Sequence, residues 1–224
     1  MTELMTMVSE ALTKRGFHVQ HAATKEDAAQ LVLSMIGEGE SIGIGGSMTV
    51  KELGLAETLQ NSGHKVSWHW LVPPAERPQT LEEARKADVY LASSNAITKD
   101  GCLVNIDGTA NRVTSMAFGP KKVILIVSEK KLVDGGITTA IARIRREACP
   151  ANAVRLKLDT PCGHTGKCNA AACGSDCMCC VTTILEHPTH GKDVTISLRK
   201  HWDIKMQQGQ RLPNGAAVPA FLFR

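Results

Sequence analysis

From residue 24 to residue 149 short aliphatic runs alternate with stretches of helical periodicity, and this alternation constrains the chain more than any other feature. Thr24 stands as an N-cap before a helix with Ala28, Leu31, Val32 and Met35 on its inner face. Ser41 to Ile44 reads as a short buried strand, and a helix through Lys51 to Gln60 follows. Val66 to Leu71 is a second strand, broken by Pro73-Pro74, and His64, His69, Trp68 and Trp70 pack around it. A short helix covers Leu81 to Lys86, and Asp88 to Ser93 is a third strand. Asp100-Gly101 marks a hairpin between Ala96-Ile97-Thr98 and Cys102-Leu103-Val104. Thr109 to Phe118 is helical, and Lys122 to Val127 is the clearest core strand. Gly136 to Cys149 forms an amphipathic helix with Ile137, Ile141 and Ile144 inward and Arg143, Arg145 and Arg146 outward. The pattern predicts an α/β fold, a Rossmann-like mainly parallel sheet flanked by helices, with its strand-to-helix loops near one edge. Aromatic residues make up only 4%, so the core is aliphatic, as buried parallel strands require.

Outside this stretch the signals differ. Met1 to Gly16 is an amphipathic helix without the continuous apolar core of a signal peptide. No apolar run approaches the ~18 residues that span a bilayer, so a cytoplasmic protein is expected. Past Val154 regularity fails: a Cys-rich stretch follows, then a strand at Val194 to Leu198, then a polar, poorly ordered tail from Gln207. The expected division is an α/β domain over 1–160 and a Cys-rich, irregular C-terminal segment over 161–224 packed on it. The net charge of +4 is dispersed, with no basic stripe interleaved with aromatics, which argues against nucleic acid.

Three constellations carry chemistry. In Ser41-Ile-Gly-Ile-Gly-Gly-Ser-Met-Thr, a strand runs into glycines that open a helix, where free N–H groups favour an anion. Gly43, Gly45 and Gly46 let a small anion approach the main chain, and Ser47 and Thr49 add hydroxyls. The spacing is neither a P-loop nor a dinucleotide fingerprint, and a tight turn with a capping serine is the competing reading. The second constellation joins Asn95 and Lys99 to Asn105, Asp107, Thr109, Asn111 and Arg112 around the hairpin. Asp107 is a candidate general base, Arg112 a candidate carboxylate clamp and Lys99 a movable cation; alternatively Asp107 and Asn111 cap a turn and a helix. The third is Cys162, Cys168, Cys173, Cys177, Cys179 and Cys180, with His164 among them. Six thiols in a loop-like stretch suit an iron–sulfur cluster, with zinc as the alternative, although their spacing matches neither a zinc knuckle nor a ferredoxin run. Free or redox-active thiols are the competing reading. Cys102 and Cys149 stand alone as small buried hydrophobes, and His187, His190 and His201 have no ligand spacing.

The glycine loop, Ser94-Asn-Ala-Ile-Thr-Lys-Asp-Gly, Val104-Asn-Ile-Asp-Gly-Thr-Ala-Asn-Arg and Phe118-Gly-Pro-Lys-Lys-Val together resemble the LUD (lactate-utilisation) family, over about residues 3 to 180. The resemblance implies a fold like the glucosamine-phosphate deaminase, ribose-phosphate isomerase and CoA-transferase group, whose glycine loop binds a phosphate or similar anion. It implies a part in oxidising L-lactate to pyruvate alongside iron–sulfur partner subunits; separately, a small anionic metabolite is the expected ligand and a homo-oligomer a candidate assembly. Pro161-Cys162 and Thr165-Gly166-x-Cys168 look like the family's cysteine pattern, whereas Cys173 to Cys180 depart from it. The alternative is a stand-alone isomerase, hydrolase or transferase for a phosphorylated or carboxylated metabolite; a thiol-based sensor ranks last.

Overall fold

The computed structural model describes residues 1–200. Its helices are α1 (Glu3–Lys14), α2 (Lys25–Ser34), α3 (Met48–Glu52), α4 (Leu55–Asn61), α5 (Arg77–Lys86), α6 (Asn111–Ala117), α7 (Ile137–Arg143), α8 (Cys149–Leu156) and α9 (Pro161–Thr165). Its strands are β1 (His18–Ala22), β2 (Ile42–Ile44), β3 (Val66–Ser67), β4 (Val89–Ala92), β5 (Ala96–Thr98), β6 (Leu103–Asp107), β7 (Lys122–Ser128), β8 (Leu132–Val133), β9 (Val181–Leu185) and β10 (Asp193–Arg199).

Six strands form one parallel sheet in the order β1-β10-β7-β4-β2-β3. Both of its faces are covered, and the two-residue period of the strands sorts their side chains between two cores. Val123, Leu125 and Val127 of β7 join Tyr90 and Ala92 of β4 beneath α1, α5 and α6. Ile124 and Ile126 point the other way, with Val89 and Leu91, against α2, α3 and α4. A second sheet, β8-β5-β6-β9, closes a third core against α7 through Ala96, Val104, Ile106, Ala140 and Ile144. The fold is thus α/β with a mainly parallel central sheet flanked by helices, as the alternation requires.

Several boundaries differ from the sequence reading, each for a local reason. The helix expected from Lys51 to Gln60 is two, because Gly54 takes a left-handed φ of 67° between α3 and α4. The strand expected at Val66 to Leu71 stops at Ser67, and a turn from Leu71 N–H to the Trp68 carbonyl replaces its second half. Helix α5 begins at Arg77, with Pro78 in its first turn, where a missing N–H costs nothing. The helix expected to end at Cys149 instead passes through a wide π turn, Ile144–Ala148, and continues as α8 past Pro150. That turn shifts the helical phase just before a proline that donates no hydrogen bond. Cys102 and Cys149 are buried, as expected. Strand β10 lies inside the parallel sheet between β1 and β7, although it falls beyond the expected boundary at residue 160. His201 and the tail from Gln207 lie outside the described residues. Among the described residues no helix is long and apolar enough to cross a membrane.

Candidate functional site

The carboxyl ends of β2, β4, β7 and β10, four neighbouring strands, open on one cavity of about 200 Å³. This is where open parallel sheets hold ligands, because the strand-to-helix loops diverge there. The loop after β2 brings Gly46, Ser47 and Thr49, and the loop after β4 brings Ser93, Ser94 and Asn95. Ser128 ends β7 with Lys130 and Lys131 just beyond it, and Arg199 ends β10. Helices α7 and α8 close the far side with Arg143, Asn152 and Arg155, and Glu147 from the turn between them joins the wall.

The two glycines before the cavity are packing residues. A Cβ on Gly43 would overlap the backbone oxygen of Ala84, so the bare main chain lets α5 lie close on β2. A Cβ on Gly45 would stand 2.8 Å from the Tyr90 hydroxyl and 3.3 Å from Arg112 Cγ. Ser47 serves two purposes: its hydroxyl accepts from Val50 N–H at 3.3 Å, capping α3, and it also faces the cavity.

Arg112 is the hub of the site. It reaches in from α6 with 7% exposure, and its two terminal nitrogens donate to four acceptors. These are the Ser93 carbonyl (3.0 Å), Asn105 Oδ1 (2.6 Å), Asn95 Oδ1 (2.9 Å) and the Ile106 carbonyl (3.1 Å). Its Nε faces Asp107 at 3.5 Å. Burial pulls its pKa below the usual guanidinium range, and the Asp107 charge opposes that. Asn105 Oδ1 also accepts from Asn95 N–H at 2.9 Å, and Asn95 Oδ1 from Ile106 N–H at 3.0 Å. The Asn-Ile-Asp…Asn-Arg run therefore ties the end of β4 to β6, and Arg112 spends its donors inside that tie.

Other cations also face the cavity. Lys131 places Nζ 2.8 Å from Ser93 Oγ and 3.5 Å from Thr49 Oγ1. Desolvation, then the charges of Arg143, Arg199 and Arg112, bring its pKa down to about 7, against the opposing pull of Glu52. Arg143 donates to the Asn95 carbonyl at 2.8 Å and pairs with Glu147 at 3.1 Å. Arg155 stacks over Trp70 with 5.0 Å to the ring centroid and bonds Asn152 Oδ1 at 2.8 Å. Six basic side chains (Arg112, Lys130, Lys131, Arg143, Arg155 and Arg199) and one acidic one, Glu147, line the cavity. Such a wall is electrostatically complementary to a small anion.

Of the residues singled out in the sequence, the structure brings Gly46, Ser47, Thr49, Asn95 and Arg112 to the cavity wall. Asn105 and Asp107 sit directly behind Arg112, on β6. Thr109 and Asn111 are bonded to each other at 2.5 Å on the outer side of that turn. Lys99 is elsewhere, in an exposed ion pair with Asp134 at 2.7 Å. Arg143, expected outward, is instead largely enclosed, its side chain 12% exposed, because it lies at the phase shift before the π turn. Arg145 and Arg146 do face solvent. Lys131, Arg155 and Arg199 were not singled out. The position of Lys130-Lys131, directly after the clearest core strand, was the available signal for the first.

The thiols are arranged differently. Cys179 Sγ lies 3.4 Å from Cys149 Sγ, Cys180 donates to the Cys177 carbonyl at 3.2 Å, and Cys173 bonds Cys177. That bond pushes Cys173 up to about 11; its bond to Cys149 and burial raise Cys179 too. Burial raises Cys168, and Cys162 is buried against the Thr160 hydroxyl at 3.4 Å. Among the described residues no three His, Cys, Asp or Glu side chains are grouped to hold a metal ion. Sulfur contacts run from Cys173 through Cys177 to Cys179 and Cys149.

The sequence profile of the LUD domain matches residues 5–196. The chain belongs to the LUD domain family. No curated protein sequence matches it. Among solved structures, this LUD protein is similar to a DUF162 family protein from Deinococcus radiodurans, at 14% identity and a TM-score of 0.52. The match covers 89% of this chain and 97% of that one, and a likeness at that identity is one of fold. A D-ribose-5-phosphate isomerase in complex with phospho-erythronic acid is 20% identical with a TM-score of 0.36, over 49% of this chain and 53% of the isomerase. Ribose 5-phosphate isomerase A from Neisseria gonorrhoeae is 22% identical with a TM-score of 0.34, over 51% and 56%. The chain thus spans about half the length of either isomerase.

Proposed function

We propose that this LUD protein binds a small organic acid in the cationic cavity, as a component of L-lactate oxidation whose iron–sulfur chemistry resides in partner subunits. The observation that carries the reading is the six-to-one excess of basic over acidic side chains around a cavity of about 200 Å³. That volume suits a metabolite of a few heavy atoms. Arg155, held over Trp70 and fixed by Asn152, is pre-organised to meet a carboxylate. Ser47 and Thr49 add hydroxyls beside it.

Thermal-shift measurements with L-lactate, pyruvate, inorganic phosphate and ribose 5-phosphate test the reading. L-lactate and pyruvate are expected to stabilise the protein at millimolar concentration, and Arg155→Gln to weaken that binding by about tenfold, the loss of one charge-assisted contact. No stabilisation by any of the four would contradict it. Stabilisation by ribose 5-phosphate alone would favour a stand-alone enzyme acting on a phosphorylated metabolite.

A further inference from the structure

Lys131 is the one lysine of the described residues whose amine is drawn into the cavity and held there by hydroxyl oxygens. Ser93 sends its own proton to the Ile126 carbonyl at 2.5 Å, so its oxygen can only accept from Lys131. Thr49 Oγ1 stands 3.5 Å away on another side. A neutral amine in this setting gives its hydrogens to the two hydroxyls and keeps its lone pair for the cavity. The charged groups around it are Arg143 on α7, Arg199 on β10, Arg112 on α6 and Glu52 on α3, so cations outnumber the one acid. Desolvation and those guanidinium groups disfavour the ammonium form near neutral pH. A lysine desolvated beside other cations is the standard means of making this weak nucleophile reactive.

We propose that Lys131 is a nucleophile that forms a reversible imine with the carbonyl carbon of a 2-oxo acid bound in the cavity. This rests on the reading of the cavity as a small-acid site and specifies its ligand class. The guanidinium groups of Arg143 and Arg155 take the carboxylate, which leaves the adjacent carbonyl carbon to the amine. The nitrogen lone pair forms the C–N bond and the carbonyl oxygen becomes a carbinolamine hydroxyl. Both amine hydrogens then leave with that oxygen as water. The step is a dehydration; nothing is oxidised or reduced, and no metal takes part.

The full-length protein is incubated with pyruvate and sodium cyanoborohydride, whose hydride reduces the imine to a secondary amine, and the site is mapped by peptide mass spectrometry. Calorimetric titrations with pyruvate and with L-lactate, which has no carbonyl to trap, run in parallel. The expected result is one carboxyethyl group on Lys131, suppressed by excess L-lactate, absent from Lys131→Arg, and well above the label on exposed Lys130. Wild-type mapping alone carries the result if the variant fails to fold. If both acids bind but the label is spread over surface lysines, Lys131 is not a nucleophile and the acid site stands. If neither acid binds and Lys131 takes no label, the imine and the small-acid reading both fall.

Discussion

The cavity and the cysteine segment are built in opposite ways. The cavity gathers groups from residue 46 to residue 199, none adjacent in sequence to more than a few others, and fixes them through one sheet edge and one buried arginine. The cysteine segment keeps its six thiols within 19 positions, 162 to 180, and links Cys173, Cys177 and Cys179 to one another and to Cys149 in a short run of sulfur contacts. Closeness in sequence produced a short run of sulfur contacts, whereas the topology of a parallel sheet drew distant segments to one cavity. A ligand site needs several groups held against one another at fixed distance, and the polar tie around Arg112 supplies such contacts beside the cavity.

The contrast can be broken most severely at Arg112. Replacing it with alanine takes the guanidinium from two carbonyls and the Asp107 carboxylate in the interior, leaves each asparagine oxygen only its remaining donors, and should cost about 3–5 kcal/mol. Cys168→Ser and Cys180→Ser, both exposed, should stay within about 0.5 kcal/mol. Urea unfolding of the three variants measures the gap; similar losses at all three would erase the distinction.

Gly45→Ala is the next largest perturbation, because its Cβ would press on the Tyr90 hydroxyl and Arg112 within the same tie. A loss of about 1–3 kcal/mol is expected, with weakened acid binding. Gly174→Ala in the cysteine segment, where a Cβ would meet nothing, serves as the control.

A smaller effect distinguishes the two regions by pH. The Lys131 amine titrates near 7 in the folded protein and near 10.4 in the unfolded chain. Between those values the unfolded chain binds more protons, so stability contributed by this group rises with pH across that window; below 7 the destabilisation is constant. The difference in melting temperature between wild type and Lys131→Met should therefore move in favour of wild type from pH 6 to pH 9, by a few degrees. Cys173→Ser should show no such trend from pH 6 to pH 8, since its thiol is held up near 11. A flat Lys131 profile would remove the neutral amine.

The smallest effect is kinetic. Iodoacetamide at pH 7.5 should modify exposed Cys168 and Cys180 before Cys102, Cys149 and Cys162, which are buried. Equal rates throughout would mean that the segment opens as a whole.

The fold was legible because period-two and period-3.6 patterns are local: β7, with Val123 to Val127 all buried, could be read directly. The place of β10 could not, since nothing in Val194 to Leu198 states which strands will flank it. The glycine loop and Arg112 were visible as a pattern of unusual residues. Their roles were not, because Gly43 and Gly45 serve close packing and Arg112 serves the polar tie. Arg143 and Arg155 look like solvated helix residues until a π turn and a sheet edge give them a neighbour across the cavity.

The most direct test is a titration of isotope-labelled protein with pyruvate, followed by backbone NMR. The account predicts that the perturbed amides cluster at Gly46 to Thr49, Ser93 to Asn95 and Ser128 to Lys131. Perturbations confined to residues 162–180, or none at saturating pyruvate, would contradict it.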